Sequence, residues 1–170
     1  MRFFLALRAI VFVLLLPGTV AGYVPYRILR AADRLDAPDP SFASVAAFVV
    51  CGVGVAGLGW CVWDFFAAGK GTLAPVDPPR HLVVCGLYRF TRNPMYNAVI
   101  TVLLGEAWLF RSINLISYAL FAFVMFHLFV VLYEEPALTS RFGDSYRAYK
   151  RAVPRWGFIV RPFRQATHPR

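Results

Sequence analysis

The sequence predicts an all-α, polytopic membrane protein with about four transmembrane helices, and three observations carry that prediction. The 170 residues are 59% hydrophobic and only 16% charged, whereas soluble domains run nearer to about half apolar and about a quarter charged. Mean hydropathy is +0.57. Four apolar runs, near 3–22, 43–63, 95–110 and 113–133, approach the roughly 20 residues that a helix needs to cross a bilayer. The length is that of one integrated domain. Within it, an N-terminal helix pair (1–64) precedes a segment (65–170) holding a loop, a tight helical hairpin and a C-terminal tail.

The first run closes on Thr-Val-Ala-Gly, as a signal peptide does, but Arg8 interrupts the apolar core that such a peptide requires. It is read as a span. The second run is rich in small residues: Gly52, Gly54, Ala56, Gly57 and Gly59. The pairs Gly52/Ala56 and Gly54/Leu58 fit the small-xxx-small pattern of close helix contact only in part. The third run is short, about 16 residues or roughly 24 Å of helix. Only Arg111-Ser112-Ile113-Asn114 separates it from the fourth. Helices joined so tightly must be antiparallel neighbours.

The net charge is +9, from 18 basic and 9 acidic residues. The basic residues flank apolar runs instead of forming one soluble face, which argues against nucleic acid and for anionic lipid as the partner. With four spans, the N-terminus, the 64–94 loop and the tail share one side, carrying thirteen basic residues against four on the other. That asymmetry places both termini in the cytoplasm, and a bacterial inner membrane is the expected location. Cys51, Cys61 and Cys85 form no metal-ligand spacing and no paired framework, so no metal is expected. Cys51 and Cys61 are read as small apolar fillers.

Between 69 and 80 the loop is punctuated by glycine and proline and is expected to run extended. Pro94 pushes Asn93 out of the helical region, so Asn93 is expected to cap the third span with Pro94 at its first position. The free backbone N–H groups of such a helix start suit a carboxylate ligand. In the tail, Phe142-Gly143-Asp144 reads as a turn. Tyr146, Tyr149 and Val153 then recur at helical spacing with Arg147, Lys150 and Arg151 between them, the pattern of a cytoplasmic interfacial helix with a solvated basic face.

Ionisable residues within spans are candidates for function. Glu106 lies near the far turn and is read as structural. Folding the hairpin places His127 across from Asn97, within reach of Arg92–Tyr96, where a helix-bridging hydrogen bond is expected. Glu134 and Glu135 stand where the fourth span leaves the bilayer. Adjacent side chains on a helix point about 100° apart, so one of the two is expected to face a site. Polar groups thus crowd both ends of an apolar hairpin, in 86–96 and 134–155. That arrangement suggests a cofactor site at the bilayer edge and an enzyme.

These residues resemble the integral-membrane methyltransferases that include isoprenylcysteine carboxyl methyltransferase and the phospholipid N-methyltransferases. That family shows Gly-x-Tyr-x-x-x-Arg-His-Pro-x-Tyr-x-Gly, a tight hairpin, and Glu-Glu-x-x-Leu-x-x-x-Phe-Gly-x-x-Tyr-x-x-Tyr-x-x-x-Val-Pro. Here Gly86, Tyr88, Arg92, Pro94 and Tyr96 match the first motif. Glu134, Glu135, Leu138, Phe142, Gly143, Tyr146, Tyr149, Val153 and Pro154 match the second. The resemblance implies S-adenosylmethionine as cofactor and a lipidic or membrane-embedded acceptor, either an isoprenylcysteine-like carboxylate or a phospholipid amine. It implies Tyr88, Arg92, Pro94, Tyr96 and Glu134 at the cofactor; Asn93 by its position and His127 by the hairpin's geometry are further candidates there, and the chemistry of the residues points to Glu134, Glu135 and Arg92 for catalysis. Asn93 stands where the family has His, and Ala98 where it has its second Gly. Val130 replaces an arginine that the eukaryotic carboxyl methyltransferases carry, which weakens a prenylated carboxylate as the acceptor. Two alternatives compete. A sterol-reductase-like enzyme using a nicotinamide cofactor would tend to carry Asn where this chain has Met95. A non-enzymatic membrane scaffold would use its polar ends merely as anchors.

Overall fold

The computed structural model describes residues 16–35, 40–68, 82 and 84–163. Among them every regular element is helical. A π-helical turn, Thr19–Tyr23, leads into α1 (Val24–Ala31), and α2 (Phe42–Ala68) follows. A 3-10 turn (Gly86–Arg89) then precedes α3 (Pro94–Leu109) and α4 (Ile113–Phe129). A second π turn, Val130–Glu134, joins α4 without a break to α5 (Glu135–Ala152). Among the described residues two helices are long and apolar enough to cross a membrane: Phe42–Asp64, and the continuous run Ile113–Ala152 whose apolar part is α4. The run expected at 3–22 lies mostly outside the described residues, as does the loop at 69–81.

The hairpin is as the short connection requires. Arg111 takes a positive φ of 46° to reverse the chain. The Ser112 hydroxyl accepts from Leu115 N at 3.4 Å, capping α4. Val99 and Leu103 of α3 pack on Ala119 and Ala122 of α4. At the turn, Leu29 of α1 joins Ala107 and Leu115, and Arg34 donates to the Arg111 carbonyl at 3.5 Å. Arg34, just beyond α1, and Arg111 of the turn thus share one end of the molecule.

The contact between α2 and α3 depends on missing side chains. A Cβ on Gly54 would fall 2.6 Å from Val102 Cγ2 and 2.9 Å from the Ala98 carbonyl. A Cβ on Gly105, from the opposite helix, would fall 2.5 Å from Cys51 Sγ. Gly57 faces the Ala98 methyl, whereas Gly52 and Gly59 have nothing within 4 Å. The seam therefore runs through Ala47, Cys51, Gly54, Leu58 and Cys61, at alternating spacings of four and three, and the Gly52/Ala56 pair takes no part through its glycine. Cys61 is fully buried and Cys51 packs on Gly105. Both are the small fillers expected.

In the tail, Gly143 leaves helical geometry at φ 52°, ψ −124°. This is the expected turn, in a region that disfavours any residue with a Cβ. The apolar face beyond it departs from expectation. Tyr146, Tyr149 and Val153 are buried against Leu82, Val84, Leu138, Phe142, Ile159 and Phe163. That face of the tail helix packs on the protein's own loop and on the C-terminal strap (residues 153–163), not on lipid.

Candidate active site

The strap brings the two motifs together. Arg92 N donates to the Pro154 carbonyl at 3.0 Å, Ile159 N to the Phe90 carbonyl at 3.0 Å, and Phe163 N to the Arg89 carbonyl at 2.9 Å. Arg89 Nε returns a bond to the Phe163 carbonyl at 3.1 Å. The Tyr149 hydroxyl donates to the Tyr88 carbonyl at 2.6 Å. Residues 86–93 are thus clamped between α5 and the chain that follows it.

Asn93 sits at the N-cap position with Pro94 in the first turn, but its side chain does not cap. Its Nδ2 donates to the Arg155 carbonyl at 3.0 Å. The strap presents an acceptor there, and the expected capping bond gives way to it. His127 likewise bonds elsewhere than expected. Its Nδ1 accepts from Trp156 Nε1 at 3.0 Å, so it ties α4 to the strap and does not bridge to α3. Phe123 packs against the same indole with ring centroids 5.0 Å apart.

Glu134 and Glu135 point to different neighbours, as adjacent helical positions must. Glu134 turns toward α3, where its Oε1 accepts the Tyr96 hydroxyl at 2.6 Å. The Tyr96 ring stacks on Phe126 at 4.7 Å. Burial raises the Glu134 carboxyl above its ordinary value. The Tyr96 hydrogen bond pulls the other way, and the neighbouring Glu135 charge raises it further. Burial also holds the Tyr88 hydroxyl well above its ordinary value, with Glu134, Tyr96 and Tyr149 among the groups near enough to contribute. Tyr88, Tyr96 and Glu134 therefore converge, from three separate elements.

Glu135 is instead the centre of an ion cluster. Its Oε1 takes Arg92 at 2.9 Å and Arg155 Nε at 2.5 Å, and its Oε2 takes Lys150 at 2.7 Å. Burial by itself would raise this carboxyl. Hydrogen bonds from Arg155 and Lys150, with the Arg92 and Arg155 charges, bring it down to about 2. Lys150, read from sequence as part of a solvated face, closes this cluster. Arg147 stays exposed and pairs with Asp144.

Three contributors escaped the sequence reading. Asp64, at the end of α2, accepts Leu87 N at 3.4 Å. It lies so close to Gly86 that a Cβ there would overlap its carboxylate. Gly86 is at φ 48°, so both conformation and space require glycine. Arg155 and Trp156 follow the Val-Pro of the second motif and gave no signal beyond that adjacency.

The donor set fits an amino-acid-like cofactor. The Arg92 side chain is 9% exposed, with one terminal nitrogen on Glu135, while its Nε is buried and has no partner among the described residues. A ligand carboxylate would satisfy that orphan. Glu134 supplies the complementary negative charge. Among the described residues no cluster of His, Cys, Asp and Glu could hold a metal ion.

Comparison with known proteins gives a consistent answer. A segment of 75 residues is 37% identical to the protein-S-isoprenylcysteine O-methyltransferase of Schizosaccharomyces pombe, covering 43% of this chain and 31% of that protein. The chain thus spans about a third of that relative's length. A segment of 63 residues is 38% identical to an uncharacterized protein of Haemophilus influenzae, covering 36% of this chain and 98% of the relative. No solved structure shows significant similarity. The family model for phospholipid methyltransferase matches residues 44–145, a stretch that takes in most of α2, the 86–96 motif, the hairpin and both glutamates. The chain belongs to the phospholipid methyltransferase family.

Proposed function

We propose that this protein is an S-adenosylmethionine-dependent methyltransferase acting on a lipidic acceptor at the cytoplasmic face of a bacterial inner membrane. In this reading the chain crosses the bilayer four times, residues 1–64 form the N-terminal helix pair, and both termini are cytoplasmic. The observation that carries the reading is the 2.6 Å bond between Tyr96 and Glu134. It joins the two motifs at one end of the hairpin, within the stretch that matches the family.

The cofactor, when bound, supplies an electrophilic methyl group on a sulfonium. What the chain contributes is position and charge. Arg92 is held by Glu135 with its Nε free to receive the ligand carboxylate. The start of α3 at Pro94 presents unpaired N–H groups to the same anion. Tyr88 and Tyr96 wall the site, and His127, fixed by Trp156, closes its α4 side. Glu134 balances the ligand ammonium. If the acceptor is an amine, the proton it must lose passes to Glu134, whose raised carboxyl is better matched to that task than an ordinary one. If the acceptor is a carboxylate, it needs no base, and exclusion of water favours charge neutralisation. Holding donor and acceptor in line accounts for most of the rate in either case.

The test is transfer of isotope-labelled methyl from S-adenosylmethionine into total membranes, with lipid and protein products separated. Glu134→Gln and Tyr96→Phe are expected to lower transfer by roughly 100-fold while the protein stays folded in detergent. Unchanged transfer in both variants overturns the assignment. A scaffold is indicated if neither cofactor binding nor transfer is detectable in the wild type.

A further inference from the structure

Glu135, unlike Glu134 with its bond to Tyr96, lines an open cavity of about 690 Å³ that the proposed methyl transfer does not use. Its apolar wall is Val131 and Pro136, where the membrane-crossing part of the long helix ends. Its polar wall is Ser140, Arg147, Lys150 and Arg155.

The charge in this cavity is unbalanced. Arg92, Lys150 and Arg155 share the single Glu135 carboxylate, and Arg147 is matched only by the exposed Asp144. Of these, Arg147, Lys150 and Arg155 line the cavity, against the one lining carboxylate of Glu135. Donors are left over as well. Arg155 engages Glu135 through Nε, which leaves the terminal nitrogens of a planar fork suited to two oxygens of a phosphate. Lys150 uses one of its three N–H groups on Glu135. The Arg147 pair is solvent-exposed and therefore weak, so Arg147 is free to exchange Asp144 for another anion.

A ligand complementary to this cavity carries a phosphate beside a hydrocarbon chain. We propose that the cavity binds the phosphate of an anionic phospholipid, seating α5 on the membrane surface at a position separate from the methyl acceptor. The shared chemistry is a phosphate oxyanion, and a soluble phosphate is the other source of it. The proposal does not depend on methyl transfer.

The full-length protein in uncharged detergent provides the test. Binding is read as the shift in thermal unfolding on adding short-chain phosphatidylglycerol, short-chain phosphatidylcholine or inorganic phosphate. Phosphatidylglycerol is expected to stabilise the protein, and phosphatidylcholine is not. Lys150→Gln and, independently, Ser140→Glu are each expected to weaken phosphatidylglycerol binding about tenfold, the equivalent of one charge-assisted hydrogen bond. Ser140→Glu leaves every Glu135 ion pair in place, so its loss of binding cannot be put down to a disrupted fold. A shift with inorganic phosphate equal to that with phosphatidylglycerol supports the site and makes its ligand a soluble phosphate. Equal shifts with both lipids, no shift with any probe, or undiminished binding in both variants overturns the proposal.

Discussion

The α2–α3 seam and the cluster around Glu135 are both close-contact regions, yet they are built on opposite principles. The seam is held by what is missing: Gly54 and Gly105 let backbones approach until a single added carbon would strike Val102, Ala98 or Cys51. The cluster is held by what is present: one buried carboxylate gathers three cations from α5, the strap and the 86–93 loop. The seam should therefore respond to added volume, and the cluster to pH. The second kind of contact is found where three segments distant in sequence must meet at the candidate site. The first is found where two helices need only lie together.

The largest expected effect lies in the cluster. Glu135→Ala would leave the buried Arg92 guanidinium without its counter-ion, a loss of about 3–5 kcal/mol for a broken buried pair, read as a lower unfolding midpoint or failure to recover folded protein. The pH dependence has a definite sign. The folded carboxyl titrates near 2, below its ordinary 4.5. Its contribution is thus complete above about 4.5 and lost as pH falls from there through 2. Glu135→Gln should remove that dependence, and an acid titration of stability that is unaltered by the substitution would break the comparison.

Next comes the seam. Gly105→Ala should cost about 1–3 kcal/mol by overpacking against Cys51, as measured by thermal unfolding in detergent. A smaller effect is expected from Trp156→Phe, which removes the donor to His127 but keeps an aromatic ring. About 1 kcal/mol is the net worth of such a hydrogen bond, and the change should appear as increased protease access to the strap. Smallest is Gly52→Ala, on the same helix as Gly54 but facing open space. It should be neutral, or stabilising by up to about 1 kcal/mol through helix propensity. A substantial loss there would mean that the seam is not where the contacts place it.

How far the sequence could be read depended on the range of the interaction. Pro94 at a helix start, the turn at Gly143 and the hairpin at Arg111 are set by neighbours a few residues away, and each is found where expected. Asn93 and His127 failed for the reverse reason. Each was assigned a partner nearby or on the facing helix, and each is claimed by the strap, at Arg155 and Trp156, 62 and 29 residues further on. The tail helix was legible as amphipathic, but amphipathicity says only that one face will be covered. Leu82, Val84, Ile159 and Phe163 cover it, where lipid had been expected. Asp64 carried no pattern of its own, since a single acid at a helix end resembles an ordinary terminus until Gly86 arrives beside it.

By itself the sequence determined that the chain is helical and apolar, that its hairpin must close, and that two polar motifs stand at the ends of that hairpin. Composition, periodicity and connection length are local quantities, and they suffice for those conclusions. Only the tertiary structure decided that Glu134 turns to Tyr96 while Glu135 turns to Arg92, Lys150 and Arg155. A step of about 100° around a helix separates two carboxylates that are indistinguishable in a string of letters. Which neighbour each one meets is settled by packing across the rest of the chain.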